Sequence, residues 1–243
     1  MSKSTVMNDT WRPVPANLTL LQDEIHVWRI NLDIPEERVQ QLLETLSTDE
    51  VARADRFYKE QHRQRFIAGR ATLRSILGRY LDIEPQKLEF CYEPLGKPVL
   101  AETCGGNQLH FNLSHSQDLA LCAVNRDRPI GIDLEYISPI SDVLNLAKQF
   151  FSPKEYSIMR SLPPHQKQQT FFRYWTCKEA YLKATGAGLA QLQEIEINLS
   201  PGESAKLKTD SNWSLLELVP QRNAVAAVAI KGSGFSLKCW QYS

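Results

Sequence analysis

The sequence predicts an α+β fold in two halves, each an antiparallel sheet with helices packed on one face. Three observations carry that prediction. Patterned segments run strand, helices, strands, and then helices and strands again. A strict alternation, Ile130-Gly131-Ile132-Asp133-Leu134-Glu135, marks a half-buried strand near the centre of the chain. A length of 243 residues with 42% hydrophobic content suffices for one large domain or two of ordinary size. The halves are expected at residues 1–125 and 126–243.

Residues 1–20 are polar and broken by Pro13 and Pro15, a loosely held lead-in. A strand is expected over residues 24–32, with Ile25, Val27 and Trp28 in a short run. Pro35 and Glu36-Glu37-Arg38 open a helix with apolar positions Val39, Leu42, Leu43 and Leu46. Ser47-Thr48-Asp49-Glu50 is an N-cap cluster for the next helix. The basic run over residues 53–65 reads as a solvated helical face anchored by Phe57 and Tyr58. Residues 66–81 form an amphipathic helix, with Ile67, Ala71, Arg74 and Leu77 at helical spacing.

Residues 88–92 read as a strand, and Glu93-Pro94-Leu95-Gly96-Lys97-Pro98 as a turn with Lys97 at its tip. A strand over residues 109–113 is expected to break at Ser114-His115-Ser116, followed by a second strand over 119–124 and then by the central strand. This makes an antiparallel meander with His115 at a connection. The apolar row Ile130, Ile132 and Leu134 faces a core, while Gly131 leaves room for a ligand beside Asp133 and Glu135. Helical patterning then returns with Val143, Leu144, Ala147 and Phe150-Phe151. Ser152-Pro153-Lys154-Glu155 starts a helix, which makes Glu155 a capping-box residue. Pro163-Pro164 ends that helix, and a long helix over 168–185 closes at Gly186 and Gly188. Strands are expected over 192–199, 213–218, 224–230 and 235–240.

Basic and acidic residues balance at 28 each, which argues against a nucleic-acid binder that relies on bulk positive charge. The five cysteines are odd in number, widely spaced and without a Cys-x-x-Cys pair, as expected of free thiols in a reducing compartment. The N-terminus carries no basic-then-apolar signal pattern, and no run reaches the length of a membrane span. A cytoplasmic protein that engages no membrane is the expectation.

Asp133 and Glu135 lie two residues apart on one strand face, and like charges so placed need a cation or solvent. On the long helix, Trp175, Glu179 and Lys183 recur every fourth residue and share a face. Each set also has a plain reading, as a solvated strand end and as an exposed Glu–Lys pair. Taken together, three hard oxygen donors without thiolate suit magnesium, with manganese as a substitute, better than zinc. With Lys183 and His115 nearby they make a candidate phosphoryl-transfer site. No P-loop and no Gly-x-Gly-x-x-Gly occurs.

Phe111-Asn112-Leu113-Ser114-His115-Ser116, Gly131-Ile132-Asp133-Leu134-Glu135 and Trp175-Thr176-Cys177-Lys178-Glu179-Ala180-Tyr181-Leu182-Lys183 resemble the signature blocks of the Sfp-type 4′-phosphopantetheinyl transferases, in the Trp-x-x-Lys-Glu-Ala form of the family. Gly96-Lys97-Pro98 and Phe150-Phe151-Ser152-x-x-Glu155 resemble two further blocks, and the set keeps its order over about residues 50 to 190. The resemblance implies a pseudo-symmetric fold with coenzyme A in the cleft between halves. It implies transfer of the 4′-phosphopantetheine arm to a serine of an apo acyl or peptidyl carrier protein, releasing adenosine 3′,5′-bisphosphate.

By resemblance the metal-binding acids fall on Asp133, Glu135 and Glu179. The phosphate-contacting histidine falls on His115, with Asn112 and Ser114 beside it. Lys183 matches the lysine near the pyrophosphate, and Lys97 the one at the nucleotide end. Glu179 is the first candidate for general base, and Glu155 the second beside its capping reading. One departure concerns the 3′-phosphate: Arg53 matches one basic position, but Glu50 stands near another with the wrong sign. Arg53 is therefore expected to share that task with Lys97 and His115, or with Arg65 or Arg70. A magnesium nuclease and a carrier-binding relative without catalysis are the competing readings. The first lacks a basic groove, and intact Asp133, Glu135, Glu179 and Lys183 oppose the second. A hydrophobic and basic rim for an acidic carrier is implied by the family, and two joined halves make a monomer sufficient.

Overall fold

Two sheets form because several strands carry apolar rows on both faces, so that each sheet buries one face against the other and one against a helix. The computed structural model describes residues 11–106, 108–200, 204–208, 210 and 212–243. In chain order its elements are β1 (Arg12–Pro13), β2 (Glu24–Asn31), α1 (Glu36–Leu43), α2 (Thr48–Ala54), α3 (Glu60–Leu81), β3 (Phe90–Tyr92), β4 (Pro98–Leu100), β5 (Leu109–Ser116), β6 (Leu119–Arg126) and β7 (Ile130–Tyr136). There follow α4 (Val143–Phe150), α5 (Pro153–Ser161), α6 (Pro164–Thr185), β8 (Ile197–Asn198), β9 (Lys206–Leu207), β10 (Trp213–Leu218), β11 (Ala224–Lys231) and β12 (Ser236–Gln241). Residues 1–10 of the expected lead-in lie outside the described residues.

The larger sheet runs β1-β12-β2-β6-β5 and the smaller β10-β11-β7. Between them lies a core of Ile25, Val27, Leu121 and Ala123 against Ile130, Ile132, Leu134, Ala226 and Val228. The outer face of the larger sheet, through Trp28, Ile30, Cys122 and Val124, packs on Leu73, Ile76 and Leu77 of α3. The outer face of the smaller sheet, through Ala227 and Ala229, packs with Cys177, Ala180 and Ala184 of α6. The layers are therefore helix, sheet, sheet, helix, with one helix face per sheet as expected.

Four expectations about the strands are corrected. The last strand, β12, pairs in parallel with β2, as in Cys239 opposite Val27, so the larger sheet is mixed and the expected second half, 126–243, lends a strand to the first. Cys239 and Leu237 bury against Ile25 and Val27 only in that place. Second, β5 does not break at Ser114-His115-Ser116 but continues to Ser116, and the chain turns at Gln117, which adopts φ 53°. Third, β7 leaves the meander and pairs with β11, as in Asp133 opposite Ala227. Asp127 at φ 60° turns the chain, and Pro129, without an N–H, cannot extend the first ladder. Fourth, the strand expected over 192–199 shrinks to β8, paired with β9.

Candidate active site

The smaller sheet positions the acids because α6 lies directly on β7. A Cβ on Gly131 would stand 2.1 Å from the Ala180 carbonyl oxygen and 2.5 Å from the Ala184 nitrogen. The space expected for a ligand at Gly131 is thus filled by helix backbone. That close approach brings Glu179 and Lys183, one turn apart on α6, over Asp133 and Glu135 of β7.

Asp133 is 4% exposed. Its Oδ1 accepts from Lys183 Nζ at 2.7 Å and from Ser114 Oγ at 3.0 Å. Its Oδ2 is buried with no hydrogen-bond partner, and so is Glu179 Oε1. Burial, only partly offset by Lys183, raises the pKa of Asp133. Burial and then the Asp133 charge push Glu179 up to about 7 and raise Glu135 as well. Two orphaned carboxylate oxygens in one buried cluster, each acid disfavouring its neighbours' ionisation, form a site that gains from a cation. Among the described residues no three His, Cys, Asp or Glu side chains are drawn together as a ready-made metal cage. The hard oxygen chemistry of the trio nonetheless fits magnesium, which keeps part of its water shell.

On the other side of the site, β5 faces β7 without a main-chain ladder. Instead the N–H groups of Ile132, Leu134 and Tyr136 donate to Asn112 Oδ1 (2.8 Å), Ser114 Oγ (3.3 Å) and Ser116 Oγ (3.3 Å). Ser114 also accepts from Lys183 Nζ at 3.1 Å, so its one donor and two acceptor positions are all engaged. Asn112 and Ser114, expected beside the cofactor, are thus part of the seam. Strand alternation points His115 to the other face of β5, the side of α3. There it is exposed, and partial desolvation together with the charges of Lys183 and Arg65 lowers its pKa.

The remaining basic residues divide. Lys97 Nζ donates to the Lys183 carbonyl at 2.7 Å, tying the β3–β4 turn to the end of α6, and burial lowers its pKa. It lines a cavity of about 460 Å³ with His110, Pro129, Ile130, Ala184 and Glu93, at the Ile130 end of β7 and not over Asp133. Arg53 stays on the exposed surface of α2, its guanidinium 5.4 Å from the Phe66 ring centre. Arg65 is held by Asp33 in a bidentate pair at 2.6 and 2.7 Å. Glu50 is no surface counter-charge: it is 1% exposed, closes a capping box with Ser47, and pairs with Arg74 at 2.6 Å and Arg70 at 2.8 Å.

Glu155 is not brought to the site. Its Oε2 accepts from Ser152 N at 2.8 Å and pairs with Lys178 Nζ at 2.7 Å, while Oε1 accepts from Ile197 N at 2.7 Å. Both oxygens are committed, which leaves the capping reading. Lys178, fully buried, also donates to the carbonyls of Leu192 and Ile195, so the pair clamps the segment after α6. Sequence reasoning gave Lys178 and Ser116 no role. For Ser116 the signal was present, since Asn-x-Ser-x-Ser in β5 has the same two-residue period as Asp-x-Glu in β7.

The family model described as the 4′-phosphopantetheinyl transferase superfamily matches residues 129–229, and that described as 4′-phosphopantetheinyl transferase, N-terminal, matches residues 34–127. The chain belongs to this family, and its activity is the transfer of 4′-phosphopantetheine from coenzyme A to a carrier protein. It is 62% identical over 237 residues to the 4′-phosphopantetheinyl transferase HetI of Nostoc sp., covering 98% of this chain and 100% of that one. It is 31% identical over 166 residues to the transferase Sfp of Bacillus subtilis, covering 68% and 71% of the two chains. A human L-aminoadipate-semialdehyde dehydrogenase-phosphopantetheinyl transferase is 30% identical over 166 residues, covering 65% of this chain and 54% of the relative. No helix among the described residues is long and apolar enough to cross a membrane.

Proposed function

We propose that Asp133, Glu135 and Glu179 hold a magnesium ion, for which manganese can substitute, and that the site loads the serine of an apo acyl or peptidyl carrier protein. The observation that carries this reading is the pair of buried, partnerless oxygens, Asp133 Oδ2 and Glu179 Oε1. The ion, when bound, supplies charge neutralisation for the pyrophosphate of coenzyme A. Lys183, poised on Asp133 and Ser114, offers its ammonium to the same phosphates, and His115 offers a donor from the rim. Glu179 accepts the proton of the carrier serine as its oxygen attacks the β-phosphorus. The new phosphoester bond forms as the phosphoanhydride breaks, and adenosine 3′,5′-bisphosphate leaves. Glu155 takes no part in this.

A single chain supplies β5, β7 and α6, so a monomer suffices. The five cysteines form no disulfide, which suits a reducing cytoplasm. Balanced charge argues against nucleic-acid binding that relies on bulk positive charge. The test is incubation with coenzyme A, magnesium and apo carrier proteins of several kinds, followed by intact mass. Each accepted carrier gains the mass of the phosphopantetheine arm, and no gain on any carrier overturns the reading. Asp133→Asn is expected to slow loading by more than about a hundredfold, since even groups behind a metal's own ligands matter by 10–100-fold. Near-normal rates in that variant would remove Asp133 from the site.

A further inference from the structure

We infer that Ser116 is a positioning residue for Glu135, and that it acts as one rung of a hydroxyl ladder by which β5 sets the carboxylates of β7. This rests on the magnesium reading above.

The ladder is visible as a repeat. Ser114 Oγ accepts from Leu134 N and donates to Asp133 Oδ1 at 3.0 Å. Two residues on, Ser116 Oγ accepts from Tyr136 N and donates to Glu135 Oε2 at 3.0 Å. Each hydroxyl therefore holds a backbone N–H of β7 and the carboxylate of the residue before it. Asn112, two residues earlier, makes only the backbone bond, to Ile132 N, because the residue before Ile132 is Gly131 and has no carboxylate. The second function appears only where an acid stands opposite. A serine suits the task, since one hydroxyl offers a donor to the acid and an acceptor to the amide.

Asp133 has two anchors, Lys183 and Ser114. Glu135 is longer by one methylene and half-buried, and Ser116 is its hydrogen-bonded partner. Without the hydroxyl the Glu135 carboxylate regains rotamers that do not face Asp133. Ligand orientation from behind is commonly worth 10–100-fold in metal affinity. Ser116 touches neither the reacting atoms nor the ion. Its effect passes through Glu135.

The experiment is manganese binding to the intact protein, read from loss of the free Mn²⁺ spin-resonance signal. Variants are Ser116→Ala, Ser116→Thr, Glu135→Gln, and Ser116→Ala combined with Glu135→Gln. Ser116→Ala is expected to weaken Mn²⁺ binding by about tenfold. Ser116→Thr, which keeps the hydroxyl, restores it. In the Glu135→Gln background the Ser116→Ala change adds less than about twofold, as required of a residue acting through Glu135. If Ser116→Ala binds Mn²⁺ like the parent protein, or if its effect persists undiminished in the Glu135→Gln background, the inference is overturned while the metal site stands. If the parent protein binds no Mn²⁺, or Asp133→Asn does not weaken it, both readings fall. Should Ser116→Ala not fold, judged by far-ultraviolet circular dichroism, Ser116→Cys in both backgrounds decides the matter by the same coupling, because a thiol is a poor donor to a carboxylate.

Discussion

Replacing Gly131 by alanine tests whether α6 is seated on β7 by backbone contact. The added methyl would stand 2.1 Å from the Ala180 carbonyl oxygen, and real Cβ atoms do not come within about 3.0 Å of such a neighbour. The obstruction is main chain, so no side-chain rotation relieves it, and α6 must retreat from β7 by about 1 Å. Overpacking of a core usually costs about 1–3 kcal/mol, and an unyielding obstacle places this change at the upper end. A Gly→Ala exchange also stabilises by up to about 1 kcal/mol through the unfolded chain. The clash prevails, leaving a net loss of about 2 kcal/mol, or roughly 4–8 °C in melting temperature for a chain of this size. Function should suffer more than stability, because Glu179 and Lys183 ride on the displaced helix. A misplacement of about 1 Å can slow a reaction about a hundredfold. Thermal unfolding measures the first effect and single-turnover loading of an apo carrier the second. A variant with the parent's melting temperature and a rate within twofold of it would refute the seating of α6 on Gly131.

Two other changes have outcomes fixed by the structure. Glu155→Gln strands the buried Lys178 ammonium and should cost about 3 kcal/mol, the lower end for a broken buried pair because the amide keeps an acceptor for Ile197 N; denaturant titration measures this. The folded fraction should load carriers at the parent's rate, whereas a collapsed rate with unchanged stability would restore Glu155 as a base. Burial lowers the His26 pKa from 6.5 to about 4, so the folded protein keeps His26 neutral at pH values where the unfolded chain is protonated. Stability from this group is complete above pH 6.5 and is lost as pH falls toward 4, on the order of 3 kcal/mol in all. Unfolding free energies across that window should therefore fall less steeply in His26→Gln than in the parent.

The elements were legible where pattern is local. Ser47 with Glu50 and Ser152 with Glu155 are capping boxes readable from three-residue spacing, and both occur. The alternation from Ile130 to Glu135 separated core face from acid face correctly, and the fourfold spacing of Glu179 and Lys183 put both over those acids. What could not be read was partnership. Nothing in residues 235–240 says that β12 will lie beside β2, since register between distant strands is settled by which apolar rows fit together. Glu50 looked like a misplaced surface charge because its partners, Arg70 and Arg74, lie a helix away. Gly131 pointed to a close approach, but a single glycine cannot say whether ligand or helix does the approaching.

The placement of the site follows from the seam itself. Two strands joined by a main-chain ladder direct their N–H and C=O groups at each other and leave side chains to the faces. Here β5 reaches β7 with side chains, and those side chains retain hydroxyl hydrogens after satisfying the amides of β7. The spare donors fall beside Asp133 and Glu135. A full ladder would bring the same strands together without supplying those donors, and a wider gap would leave the amides of β7 unpaired. The side-chain seam satisfies the backbone of an edge strand and orients acids that repel one another. It does so at the line where both sheets and α6 meet, so displacement of any of the three should be felt at Asp133.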